Sequence, residues 1–199
     1  MRHWSLAAAV SLLLSSWGFA STLEIDPAHS SATFSIRHMT ISNVRGEFGK
    51  VTGKVNWDDA DVAKSTAEAT IDATTINTHE PKRDAHLKSP DFFDAEKYPT
   101  ITFKSTHVQK VGPNHLKITG DLTMHGVTRP VTLDATYTGE VKDPLGNASK
   151  RGASATTKLN RKDFGLTWNK AMEAGGVLVG DEVDIALELE LIKKAPNKS

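Results

Sequence analysis

Between Lys117 and Tyr137 apolar and polar residues alternate. Ile118, Leu122 and Met124 fall on one face of a strand, and Val131, Leu133, Ala135 and Tyr137 on the same face of a returning one. Thr119, Asp121, Thr123, Thr132, Asp134 and Thr136 fall on the other. A period of two marks a strand with one face buried. His125-Gly126 supplies the turn, and Pro130 is expected at a strand start, where a missing N–H is tolerated. The same alternation predicts strands over Thr33 to Met39, Ala67 to Ile76, Thr100 to Val108, Ala153 to Leu159 and Glu182 to Leu191. It also predicts one over Val44 to Trp57, with Gly46, Gly49 and Gly53 as bends or bulges. About eight antiparallel strands without repeat, linker or composition break describe one all-β domain.

One segment departs from this period. Pro81 near a first turn, and Ser89-Pro90-Asp91 as a cap, a first-turn proline and an acid, are helix-start signals. They predict a helical insertion near residues 80–98, as two short helices or turns that cover an open barrel end. The eight strands admit two closures. A sandwich buries the apolar faces against each other. A closed barrel points them into an interior that, at about eight strands, can hold one small ligand. Composition leaves both open, because the inward set mixes Ala, Gly and medium aliphatics with Phe34, Phe48 and Phe103.

The first twenty residues stand outside this pattern. Arg2 gives a positive start, Leu6 to Leu14 a short apolar core, and Gly18-Phe19-Ala20 the small residues of a cleavage site. The run falls short of the ~20 apolar residues that span a bilayer, so it is expected to be a cleaved signal peptide. The mature domain is then 21–199, with no integral membrane segment, exported to the periplasm. The absence of cysteine fits that compartment better than a disulfide-stapled secreted scaffold. Without Arg2, 23 basic residues face 24 acidic ones, which gives no electrostatic reason to expect nucleic acid as a partner.

Candidate chemistry is sparse. There is no G-x-S-x-G elbow, no phosphate-cradling loop and no catalytic Cys, so no catalytic residue is assigned and the chain reads as a binding protein. His29, His38, His79, His86, His107, His115 and His125 show no HxH or HExxH spacing, so no metal site is assigned. Asp84 and His86, two apart, diverge on a helix and do not form a dyad.

Motifs in a fixed order carry a resemblance. They are Asp26-Pro27-Ala28-His29-Ser30, Val44-Arg45-Gly46-Glu47-Phe48, Arg83-Asp84-Ala85-His86-Leu87 and Asp91-Phe92-Phe93-Asp94. Tyr98-Pro99-Thr100-Ile101-Thr102-Phe103, the Gly120–Val131 hairpin, Asn160-Arg161-Lys162-Asp163-Phe164-Gly165 and Val179-Gly180-Asp181-Glu182-Val183 follow. From about Leu23 to Ile192 the chain resembles the YceI-like family of polyisoprenoid-binding proteins. The resemblance implies an eight-stranded antiparallel lipocalin-like barrel that holds a long-chain isoprenoid or similar amphiphilic, fatty-chain lipid, for transport or storage, without a cofactor. It assigns Phe34, Ile36, Phe48, Ile71, Ile101, Phe103, Ile118, Leu122, Leu133, Tyr137, Ile185 and Leu187 to the apolar lining.

A lipid head group would need donors at the barrel mouth, for which His38, Arg83, His86 and Arg161 are the candidates. A helix would place Arg83, His86 and Leu87 on one face, capping the cavity or packing as an ordinary helix-to-barrel contact. Arg37 is expected to face solvent, and Arg161 to anchor a turn through Asp163. The alternative function is a metal- or stress-associated periplasmic protein using the barrel as scaffold. An exposed edge or the mouth could support a homodimer, which no motif specifies.

Overall fold

The alternation resolves into eleven strands and one α-helix in a computed structural model, which describes residues 21–146, 148–173 and 175–193. The strands are β1 (Ser21–Ile25), β2 (Ser31–His38), β3 (Ser42–Phe48), β4 (Val51–Trp57), β5 (Thr66–Asp72), β6 (Thr100–Gly112), β7 (His115–Met124), β8 (Val127–Tyr137), β9 (Val141–Lys142), β10 (Ser149–Asn160) and β11 (Val179–Lys193). Helix α1 spans Pro81–Lys88. β1 and β2 lie end to end along β11, with Ile25 opposite Leu191 and Ser31 opposite Glu188. β3 and β4 are likewise one stave broken at Gly49-Lys50. β8 and β9 also follow one another along β10, so with each broken pair counted once an antiparallel meander of eight staves closes where β10 pairs with β11 from Ser149–Lys193 to Asn160–Glu182. The closure leaves open sides at β3, which beyond its ladder to β2 has a Glu47–Asn77 bridge, and at β9, which among the described residues pairs with β10 alone.

The register puts the apolar alternation on one side all the way round. Phe34 faces Ile185, Phe103 faces Leu122, Ile118 faces Leu133 and Ala155 faces Leu187. The predicted hairpin turn is present: His125 and Gly126 have φ of 52° and 74°, the left-handed pair that matches strand twist in a two-residue loop. Glycine is needed for room at Gly46, where a Cβ would lie 2.4 Å from the Phe34 ring. It is needed on the backbone at Gly53, where φ is +153° and a Cβ would lie 2.1 Å from the Glu68 carbonyl oxygen.

Several boundaries differ from the sequence pattern. β1 was not predicted, since Leu23 and Ile25 alone are too short an alternation; its partners are β4 and β11, distant in sequence. The strand over Ala67 to Ile76 ends at Asp72, whose side chain accepts from the Thr74 N–H and starts a 3-10 turn at Ala73–Thr75. Ser89 closes α1 instead of opening a second helix. Its N–H and hydroxyl both donate to the His86 carbonyl, and turns follow. Pro130 lies inside β8, opposite Asp121, rather than at its start. β8 pairs with β10 only over Asp134–Tyr137, so the proline sits where that edge has no ladder to break.

Candidate functional site

The barrel interior is not filled. It encloses a cavity of about 400 Å³ with a lining that is almost wholly apolar, within the ~300–1,000 Å³ of small-ligand sites. Phe34, Ile36, Ile71, Phe103, Ile118, Leu122, Leu133, Tyr137, Ile185 and Leu187 all line it and are only half-buried, although they point inward. Side chains in a close-packed core lose nearly all their accessible surface. Inward side chains that keep some face empty volume, which decides between the two closures. Phe48 and Ile101 line the cavity too and are buried, so every predicted lining residue is brought to one space.

The end near β1 and the β6–β7 turn is plugged. The Trp57 ring lies 4.8 Å from Tyr137, edge to face, and the Arg151 guanidinium covers it at 4.7 Å. Its indole N–H donates to Asp59 Oδ1 at 2.9 Å, and Arg151 Nη2 binds the same oxygen at 2.6 Å. These contacts satisfy the polar atoms of an otherwise apolar plug.

The opposite end carries α1, the β2–β3 turn and the loop after β10. Glu80 caps α1 by accepting from the Lys82 N–H, and Pro81 needs no partner at the first turn. Arg83, His86 and Leu87 then point at the cavity together, as their helical spacing requires. His86, Phe92 and Trp168 form a ring trio, with centroids 4.9 to 5.2 Å apart. His86 Nε2 is 2.9 Å from Asp91 Oδ2.

The four polar candidates differ in how far their donors are committed. Arg83 donates from Nε to Thr78 Oγ1 at 2.8 Å and from Nη2 to the Thr78 carbonyl at 2.9 Å. Asp84 accepts from the same threonine, so Arg83 forms no ion pair among the described residues. His38 lines the mouth at the inward end of β2. Arg37 is exposed and bonds the Thr40 carbonyl, as expected of its outward position.

Arg161 also lines the cavity but is 3% exposed, with its guanidinium spent on structure. It donates to the carbonyls of Gly180 (2.8 Å), Trp168 (2.9 Å), Val179 (3.5 Å) and Leu166, and lies 3.6 Å from Asp181 Oδ1. Burial pushes its pKa down and the Asp181 carboxylate opposes that. The expected anchor through Asp163 is absent; Arg129 Nε binds the Asp163 carbonyl instead.

Sequence spacing missed one titratable cluster. His29 Nδ1 is 2.8 Å from Asp26 Oδ2 and 3.8 Å from Glu190 Oε1. The Lys150 ammonium already lies 2.8 Å from that Glu190 oxygen and 3.4 Å from Asp143, so the charge is balanced by a side chain. The His29 hydrogen bond, then the Ala28 N–H, hold Asp26 below the usual carboxylate range. His29 is raised chiefly by the same bond to Asp26. Sequence reasoning also missed Trp57, Phe93, Trp168 and Leu189 as lining; the alternation in β4 and β11 signals Trp57 and Leu189, while the loop carrying Trp168 has no period.

Comparison with known proteins agrees with this architecture. Residues 23–191 match the YceI-like domain. A UPF0312 protein of Vibrio cholerae is 35% identical over 189 residues, 95% of each chain. One from Staphylococcus aureus is 37% identical over 165 residues, 83% of this chain and 94% of the relative. Among solved structures, Burkholderia cenocepacia BcnA superposes with a TM-score of 0.73 at 25% identity, over 83% of this chain and 98% of that one. The Campylobacter jejuni YceI protein gives 0.68 at 29%, over 98% and 100%. A polyisoprenoid-binding domain from Saccharophagus degradans shares the fold alone, at 15% identity and a TM-score of 0.62 over 88% and 99%.

Proposed function

Since the chain belongs to the YceI-like family, we propose that it is a non-catalytic binding protein that holds one long-chain isoprenoid or similar amphiphilic lipid inside the barrel. The observation that carries this reading is the apolar cavity whose inward side chains keep accessible surface. Each methylene moved from water into such a space gains ~0.8 kcal/mol, so a lipid tail is held without metal or covalent chemistry. Ordering costs reduce the net gain to ~0.3 kcal/mol per heavy atom for large ligands.

The tail lies among Phe34, Phe103, Ile118, Leu133 and Ile185, with its far end against the Trp57–Tyr137 plug. The head group lies at the opposite end, near His38, Arg83 and His86. Arg83 is the main donor there, because its positive charge has no carboxylate partner. Arg161 supports the mouth from behind, through its carbonyl contacts. Residues 1–20 direct export and are removed, and the carrier works in the periplasm in transport or storage.

Organic extraction and mass spectrometry of protein purified without detergent test the reading. A long-chain amphiphile near one per chain is expected. Protein that yields no lipid, and takes up none when offered a prenol or quinone, contradicts it.

A further inference from the structure

A lipid carrier has to load and unload without passing its ligand through water, and one corner of the barrel mouth is built unlike the rest of the surface. The β2–β3 turn and the loop before β11 are tied together there, with the Met39 N–H donating to the Leu178 carbonyl at 2.8 Å. Their tips expose Ile41 (74%), Val177 (42%) and Met39 (39%). Met39 and Thr40 have φ of 50° and 62°. A tight turn of that geometry ordinarily takes Asn-Gly, and a β-branched residue there is strained. The strain and the exposed apolar side chains coincide at one place. The bases of the same loops supply His38, Leu178 and Val179 to the cavity wall, so the apolar tips are continuous with the cavity. Arg37 and Lys170 flank them, with Arg45 further along β3 opposite Ser35. All three are exposed and without an ion pair among the described residues, and Glu173 is the exposed acid of the loop before β11. The other exposed large apolar residues among those described, Val111, Val141 and Leu145, lie toward the plugged end.

We infer that these two tips form a docking lip for an anionic phospholipid surface, through which the barrel exchanges its ligand with a bilayer. The inference rests on the lipid-carrier reading above. Ile41, Met39 and Val177 enter the headgroup region while the cations meet anionic lipid, the pairing of apolar insertion and basic charge that holds proteins at an interface.

Flotation with phosphatidylethanolamine vesicles, with and without phosphatidylglycerol, tests it. The full protein is expected to float, and more strongly with phosphatidylglycerol. The Ile41→Asp/Val177→Asp variant is expected to lose roughly tenfold or more in partitioning, with unchanged thermal stability and unchanged extractable lipid. Arg45→Gln/Lys170→Gln is expected to lose several-fold on phosphatidylglycerol vesicles only. A lipid-loaded protein that fails to float, or floats equally well as the double Asp variant, overturns the lip while leaving the carrier reading intact. A dimer in sedimentation that Ile41→Asp dissolves, without flotation of either form, also overturns it. Lip-dependent flotation by protein that never holds lipid removes the carrier reading instead.

Discussion

Replacing Ala153 with phenylalanine separates an empty interior from a packed one by the sign of a stability change. Ala153 is on β10, between Tyr137 and Leu189 on the neighbouring strands, and its half-buried methyl borders the cavity. A ring at this position adds about 100 Å² of apolar surface, worth ~2.5 kcal/mol at ~25 cal/mol/Å². Fixing its rotamer costs roughly 0.5–1 kcal/mol. In the delipidated protein the net is a stabilisation of about 1.5–2 kcal/mol, which raises Tm by about 3–8 °C for a domain of this size. In a filled core the same change overpacks, costs ~1–3 kcal/mol and lowers Tm. Calorimetry of the two delipidated proteins is the assay, with extractable lipid as a second readout. A higher Tm with less lipid is expected. A lower Tm in delipidated protein would refute the claim that the alternating faces enclose free volume.

Other perturbations act at the ends of the barrel. Arg83→Ala is expected to lower the lipid recovered per chain with circular dichroism unchanged, because the helix keeps its Glu80 cap and Leu87, and with a moderate loss of Tm, because the buried Thr78 loses two donors; undiminished lipid would remove Arg83 from the head-group site. Arg161→Met leaves the Leu166, Trp168, Val179 and Gly180 carbonyls without their shared donor, while Asp181 keeps Lys162 at 2.8 Å. It is expected to cost at least ~1–3 kcal/mol in urea unfolding, the penalty for a buried acceptor left unpaired, and Arg161→Lys to recover little of it, because an ammonium cannot fork to several carbonyls. The Asp26–His29 pair predicts a pH dependence. Asp26 is lowered from 3.8, so its contribution is present above that value and is lost as pH falls through its folded pKa. His29 is raised from 6.5, so its contribution is complete below that value and is lost as pH rises through its folded pKa. The Tm difference between wild type and His29→Gln is therefore expected to be widest between the two and to narrow as pH rises through the folded pKa of His29; a difference that widens in alkali would contradict the assignment.

Much of the barrel was legible because alternation is a local signal. The Lys117–Tyr137 hairpin, its His125-Gly126 turn and the inward set of β2, β6 and β11 follow from period two and turn chemistry alone. The helical spacing of Arg83, His86 and Leu87 also put three side chains on one face, and that face borders the cavity. What stayed hidden depends on residues far apart in the chain. β1 is too short to signal itself and exists because β11 and β4 flank it. Trp168 meets His86 and Phe92 across more than seventy residues, from a loop without periodicity. Arg161 serves carbonyls on β11 and the loop before it, which no motif encodes. Whether the apolar face meets another sheet or empty volume is set by closure and by side-chain volume across the barrel, so alternation left it undecided.

The central claim is that each barrel carries one lipid in its interior, and native mass spectrometry of the detergent-free protein tests it most directly. The account predicts a main species heavier than the polypeptide by one long-chain amphiphile, stripped at raised collision energy and depleted in Ala153→Phe. A spectrum showing the bare polypeptide, unchanged after incubation with an isoprenoid, would contradict it.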